Sequence, residues 1–167
     1  IRFYGLSVNP CVIAGNAVGK KQKSLSFWTK DEFDRFIQTF EKDDPYYTAF
    51  LILYFCVLRI GELEALTVAD IDLELHTLSV NKTYHLINGK GITTTPKTAK
   101  ANRVILLPNF LVARIKEYES HIYHPLPDAR LFLLSHSSYA RTLETHTETA
   151  GIKRIRLHDI RHSNASL

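Results

Sequence analysis

From Tyr46 to Val57 no side chain carries a charge, and the apolar residues do not gather on one side of a helix. Asp44-Pro45 precedes them, an N-cap residue followed by proline at the first helical position. A helix that is apolar nearly all round is stable in water only when other elements cover it. The segment therefore predicts a buried central helix with the rest of the chain packed around it. A chain of 167 residues, 45% of them hydrophobic, has material for one such domain. The run Ala49 to Ile60 contains Arg59 and falls far short of the about 20 apolar residues of a membrane span, so no membrane partner is expected. The first residues lack the basic-then-apolar order of a secretory signal. Cys11 and Cys56 read as reduced thiols, and a cytoplasmic location follows as the expectation.

The surrounding elements have local signatures. Thr29 and Glu32 have capping-box spacing, and Phe33, Phe36, Ile37 and Phe40 then form one apolar stripe. A short helix is expected from Ile60 to Leu66. From Thr77 the period changes to alternation, and Asn88-Gly89-Lys90-Gly91 supplies hairpin-turn chemistry. Strands at 77–87, 91–95 and 103–107 would form a three-stranded antiparallel sheet. Further helices are expected from Pro108-Asn109 to about Tyr123 and from Tyr139 to Ala150, the latter closed by Gly151, with a short extended piece at Arg130–Leu134. The fold class is α+β, mainly helical. Residues 1–26 show neither period and read as a linker or arm, leaving 27–167 as the domain.

Four groups of residues bear on chemistry. A guanidinium cannot shed its charge, so Arg59 inside Leu58-Arg59-Ile60-Gly61-Glu62 must be paired or face a cleft. Glu62 is its natural partner, and a buried Arg59–Glu62 pair that only fixes the helix end is the alternative without a ligand. The turn Pro96 to Arg103 is cationic through Lys97, Lys100 and Arg103; charges that protect a sheet edge are the alternative there. His158 and Arg161, at i and i+3 on a helix, can reach one anion together, with Asp159 near the helix start. Lys20, Lys21 and Lys23 could lie on a phosphate backbone or be a solvated linker. Net charge, +4 from 21 Lys+Arg and 17 Asp+Glu, is compatible with a polyanionic partner and decides nothing alone.

In combination these features resemble the catalytic domain of the tyrosine recombinases, the phage and transposon integrase family. The resemblance rests on Asn9-Pro10, Phe27-Trp28-Thr29, Leu58 to Leu63, Thr95 to Thr98 and Arg156 to Ser163, and runs along nearly the whole chain. It implies recombination of double-stranded DNA without metal or cofactor, by attack of a tyrosine on a phosphodiester to give a 3′-phosphotyrosyl bond. Carried over residue by residue, Arg59 and Arg161 would hold the scissile phosphate. Lys97, or its neighbour Lys100, would protonate the leaving oxygen, and His158 would assist proton transfer. Glu62 would orient Arg59, and His162 would support the site. Lys20, Lys21, Lys23, Lys100 and Arg103 would meet the DNA. The family works as a tetramer on DNA, with accessory directionality or DNA-bending proteins.

Two positions depart from the family pattern: Val57 where glycine is usual, and Asn164 where histidine is frequent. None of the eight tyrosines, Tyr4 to Tyr139, can be carried onto the nucleophile, which the family places after its H-x-x-R motif. The catalytic domain is therefore expected to be truncated before that segment, and the chain alone to bind phosphate without completing cleavage. Rival readings are a non-catalytic DNA-binding module, a type IB topoisomerase, and a metalloprotein using His121 and His124 with Tyr123 and His136 or His146 nearby.

Overall fold

The structure is a computed structural model that describes residues 26–95, 102–122 and 126–165. Helix α1 (Lys30–Ile37) begins on the expected capping box: the Glu32 amide donates to Thr29 Oγ1 at 3.2 Å, and the Thr29 amide donates to Glu32 Oε2 at 2.8 Å. It ends at Ile37, one turn before Phe40, which stays buried against Phe36 and Phe50 from the following turn. Helix α2 (Pro45–Phe55) starts where Asp44 Oδ1 accepts from the Tyr46 amide at 2.8 Å, and every residue from Thr48 to Tyr54 is buried. Phe33 of α1 stacks on Tyr54, ring centroids 3.7 Å apart and nearly parallel.

The end of α2 has the hydrogen bonds of a Schellman turn. The Val57 amide donates to the Tyr54 carbonyl and the Leu58 amide to the Leu53 carbonyl, both at 3.3 Å. That closure needs a left-handed residue, and Val57 has φ 52°. A β-branched side chain is strained there, which gives a physical reason for glycine at this place in the family pattern. The turn buries Leu58 and brings Arg59 out as the N-cap of helix α3 (Ile60–Ala65).

A 3-10 turn (Val68–Asp70) leads into β1 (Ile71–Asp72), β2 (Thr77–Val80), β3 (Thr83–Ile87), β4 (Lys90–Thr94) and β5 (Arg103–Leu106). The fold class is as expected, but strand membership is not. The expected strand 77–87 breaks at Asn81-Lys82, because both side chains turn to the buried Asp70. Lys82 Nζ reaches Asp70 Oδ2 at 2.5 Å and donates to Thr67 Oγ1 at 3.1 Å, while Asn81 Nδ2 donates to Asp70 Oδ1 at 3.3 Å. Two antiparallel sheets result: a three-stranded one in the order β1-β2-β5, and a separate β3–β4 hairpin. Strand β5 thus pairs with β2, Val80 opposite Arg103, and not with the hairpin.

Helix α4 (Asn109–Ser120) buries Leu111, Val112 and Ile115 as the sequence predicts, but stops short of Tyr123. Arg130–Leu134 forms no strand: Arg130 makes a single bridge to Thr67, and Leu131 and Phe132 plug into the core. Helix α5 (His136–Ala150) starts three residues earlier than expected, capped by Ser135, and ends at Gly151 in the left-handed conformation. Its Tyr139 packs edge-on against Tyr46 and Phe50. Helix α6 (Leu157–Ala165) completes the cover of α2, with Leu157 and Ile160 in the core. Trp28 ties the chain entering α1 to the region of α6: its amide donates to Ser163 Oγ at 2.9 Å and its indole Nε1 to the Lys153 carbonyl at 2.7 Å. Cys56 is buried, which pushes its thiol up to about 12 against the pull of Arg103, so it is inert at neutral pH. Among the described residues, no helix is long and apolar enough to cross a membrane.

Relieving the left-handed valine should help the fold. Val57→Gly is expected to raise stability by about 1 kcal/mol, the relieved strain exceeding the added flexibility of the unfolded chain. Denaturant melts of the two proteins measure it, and a loss of stability contradicts the strain.

Candidate functional site: an arginine cluster on one buried carboxylate

Three segments far apart in sequence deliver guanidinium groups to Glu62. Arg59, at the start of α3, donates from its backbone amide to Oε2 and from Nη1 to Oε1, both at 2.8 Å. Arg103, at the start of β5, donates from Nη1 to Oε1 at 3.2 Å and from Nη2 to Oε2 at 2.8 Å. Arg161, on α6, brings Nη1 to 3.8 Å from Oε2. The Glu62 side chain is 5% exposed and that of Arg59 54% exposed. The pair is thus a buried acid under a half-exposed arginine, not the wholly buried pair that was one expectation.

Charge within the cluster does not balance, since three guanidinium groups meet one carboxylate. Burial pushes the Glu62 carboxyl up, but hydrogen bonds from Arg103 and the Arg59 backbone outweigh it and hold the group down to about 2. Glu62 is therefore ionised at neutral pH. Burial, followed by the charge of Arg59, lowers Arg161; Glu62 opposes and Arg103 adds to the lowering. Its Nη1 is buried and has no hydrogen-bond partner. An anion would supply both the missing acceptor and the missing negative charge.

His158 is exposed, its ring centroid 5.0 Å from that of His162 at a near-perpendicular angle. With Arg59 it lines a cavity of about 650 Å³. Asp159 faces the other way: it is buried and accepts from the Arg156 amide, Nε and Nη2. It therefore braces the start of α6. These hydrogen bonds from Arg156 hold its carboxyl below its ordinary value, against burial.

Of the residues singled out from sequence, the structure brings together Arg59, Glu62 and Arg161, with His158 and His162 on the same helix as Arg161. Arg103, expected on DNA, has its guanidinium on Glu62 instead. In β5 Arg103 and Ile105 share the less exposed side and Val104 and Leu106 the outer one, an arrangement that no local pattern in the sequence marks. Lys20, Lys21, Lys23, Lys97 and Lys100 lie outside the described residues. Sequence reasoning missed Glu64 and His85 and considered His136 only as a metal ligand; all three line the cavity beside Arg59. Only position along the chain was available for them, and nothing in it linked β3 to the start of α5.

Among the described residues, no group of three or more His, Cys, Asp or Glu is arranged to hold a metal ion. His136 and His146 stand about 15 Å apart along α5, too far to share an ion. His146 stacks on Phe40 and hydrogen-bonds with Thr39 Oγ1 at 2.7 Å. His124 lies outside the described residues.

The depressed Glu62 carboxyl makes the cluster acid-sensitive. Its folded value lies below the ordinary one, so its stabilisation is complete above pH 4.5 and is lost as pH falls toward about 2. Glu62→Gln is expected to be less stable than wild type by about 2–3 kcal/mol at neutral pH, the two curves converging across that window. Denaturant midpoints measured from pH 7 to pH 2 test it, and a gap constant with pH contradicts it.

Comparison with known proteins agrees with this geometry. Residues 26–167 match the phage integrase family. The integrase of ICEBs1 from Bacillus subtilis is 29% identical over 160 residues, covering 87% of this chain and 44% of that protein. A putative prophage phiRv2 integrase from Mycobacterium tuberculosis is 28% identical over 167 residues, 95% of this chain and 44% of that protein. The chain thus spans less than half the length of these relatives. Among solved structures, the Tn1549 transposon integrase in complex with transposon right-end DNA superimposes with a TM-score of 0.79 at 19% identity, over 96% of this chain and 59% of that one. XerA recombinase gives 0.67 at 22%, over 84% and 48%. These likenesses establish the fold, and with the match across 26–167 they show that the chain belongs to the phage integrase family.

Proposed function

We propose that this chain forms the phosphate-gripping part of a site-specific DNA recombinase, one that integrates or excises a mobile element through a 3′-phosphotyrosyl intermediate. The observation that carries the reading is the charge excess on Glu62: Arg59 is half-exposed beside a cavity and Arg161 Nη1 has no hydrogen-bond partner. Two planar forks on the non-bridging oxygens of a phosphodiester would stabilise the charge that grows there as the phosphorus is attacked. Glu62 and Arg103 act behind them, fixing Arg59 before the substrate arrives. His158, exposed one helical turn from Arg161, would exchange a proton with the phosphate or the attacking oxygen. Lys97 or Lys100 would protonate the leaving 5′-oxygen. No metal is assigned a role, because the arginines supply the positive charge.

None of the described tyrosines follows the H-x-x-R motif, where the family carries its nucleophile. Tyr54 and Tyr139 are buried in the core. Tyr84 lines the cavity, but Arg130 sits over its ring at 4.1 Å. The reading therefore assigns attack to a tyrosine following the H-x-x-R motif in the intact recombinase, acting in a tetramer on double-stranded DNA in the cytoplasm. Lys20, Lys21, Lys23 and Lys100 are proposed to face the DNA backbone, and directionality or DNA-bending proteins to assist.

A nicked suicide duplex carrying the element's attachment site tests this on the full-length recombinase. Wild type is expected to form a covalent adduct, whose tyrosine is mapped by mass spectrometry. Arg59→Ala and Arg161→Ala are each expected to form it at least about 100-fold more slowly while still binding DNA. Salt-dependent binding with no adduct identifies a non-catalytic module. Relaxation of supercoils without paired sites identifies a topoisomerase. Either result overturns the reading.

A further inference from the structure

Beside the arginine cluster, the cavity of about 650 Å³ has a wall that gripping phosphate does not explain. Its residues include Glu64 of α3, Tyr84 and His85 of β3, and His136 at the start of α5. At one edge of the cavity β3 packs tightly across α3: a Cβ at Gly61 would come within 2.9 Å of the Thr83 methyl carbon and 3.0 Å of the Tyr84 carbonyl oxygen. Glu64 is 5% exposed, and its Oε1 has no hydrogen-bond partner. Burial raises its carboxyl, while His136, Arg130 and His85 pull the other way. Glu62, two residues earlier, is fully engaged by arginines, so Glu64 is not a spare member of that cluster. Buried polar atoms in folded proteins find partners, and one lining a cavity can find its partner in a ligand.

The chemistry of the walls limits that ligand. One end must be anionic to suit Arg59 and His158, and the other must offer an N–H donor to a carboxyl group. Between them, the imidazole rings of His85 and His136 favour a flat heterocycle. A nucleotide has all three parts, and the cavity lies within the about 300–1,000 Å³ typical of small-ligand sites.

On the reading of Arg59 as a phosphate ligand, we propose that this cavity receives one unstacked base of the DNA adjoining the gripped phosphate, and that Glu64 accepts hydrogen bonds from its Watson–Crick edge. Guanine offers two neighbouring N–H groups there, cytosine and adenine one amino group. The base would leave the helix beside the point of strand exchange, where duplex pairing must open in any case. Glu64 is then a specificity residue for the base next to the phosphate, a task separate from phosphate binding.

Backbone-amide NMR titrations of the protein with 2-deoxyribose 5-phosphate, dCMP and dGMP test the two layers separately. The sugar phosphate is expected to shift resonances around Arg59 and Arg161. The nucleotides should in addition shift Glu64, His85 and His136, and dGMP should bind about tenfold more tightly than the sugar phosphate. Glu64→Leu should lose that tenfold gain with its sugar-phosphate affinity intact, which also reports that the variant is folded. Glu64→Gln, which keeps an acceptor oxygen, should retain most of the gain. Arginine shifts with no gain from the base, or a gain that survives Glu64→Leu, overturns the base cavity and leaves the phosphate grip standing. No response to any of the three compounds overturns the phosphate grip itself.

Discussion

One buried carboxylate organises this domain. Glu62 receives hydrogen bonds from the beginning of α3 and of β5 and draws in a guanidinium from α6, so three parts of the chain meet at two oxygen atoms. A buried acid of this kind is stable only while its partners hold it, and each partner is in turn held by its own element. The arrangement is asymmetric in charge: it fixes the arginines in place without neutralising them. A site meant only to stabilise the fold would gain from balance. The imbalance here, with one guanidinium half in solvent and another short of an acceptor, is the physical basis for reading it as an anion grip.

The central helix and this site are consequences of each other. Because α2 is apolar all round, α1, α4, α5 and α6 must pack on it, and that places the N-terminal ends of α3 and α6 on a common side. The tight closure after Leu53 turns the backbone sharply enough that Leu58 goes inward and Arg59 outward on adjacent residues. Asp70 does comparable work further on: by drawing in Asn81 and Lys82 it splits one long strand in two, freeing the hairpin to cross α3 and leaving the β2 edge for β5. Arg103 reaches Glu62 only because of that exchange.

What could be read from the sequence follows the range of the forces involved. Capping at Thr29 and Asp44, the Phe33–Phe36–Ile37 stripe, the stop at Gly151 and the Arg59–Glu62 pairing are set by residues within one or two helical turns, and all were legible. The placement of His158 and Arg161 three residues apart on one helix belongs with them. The break at Asn81-Lys82 was not legible, because alternation in 77–87 favours one strand and only a contact with Asp70 overrules it. Arg103 was assigned to DNA because its place in a cationic turn is visible in sequence, whereas its partner is 41 positions away. The cavity around Glu64 was invisible for the same reason, being assembled from α3, β3, α5 and α6.

Trp28 gives the domain a mechanical property beyond its packing. The residue opens α1, yet its amide and indole are fastened to Ser163 and Lys153, on and just before the helix that carries His158 and Arg161. A pull on the chain ahead of Phe27 is thus borne by α6 before it reaches α1. The two hydrogen bonds of Trp28 therefore couple the entry of the domain to the helix that carries His158 and Arg161 as directly as to α1 itself.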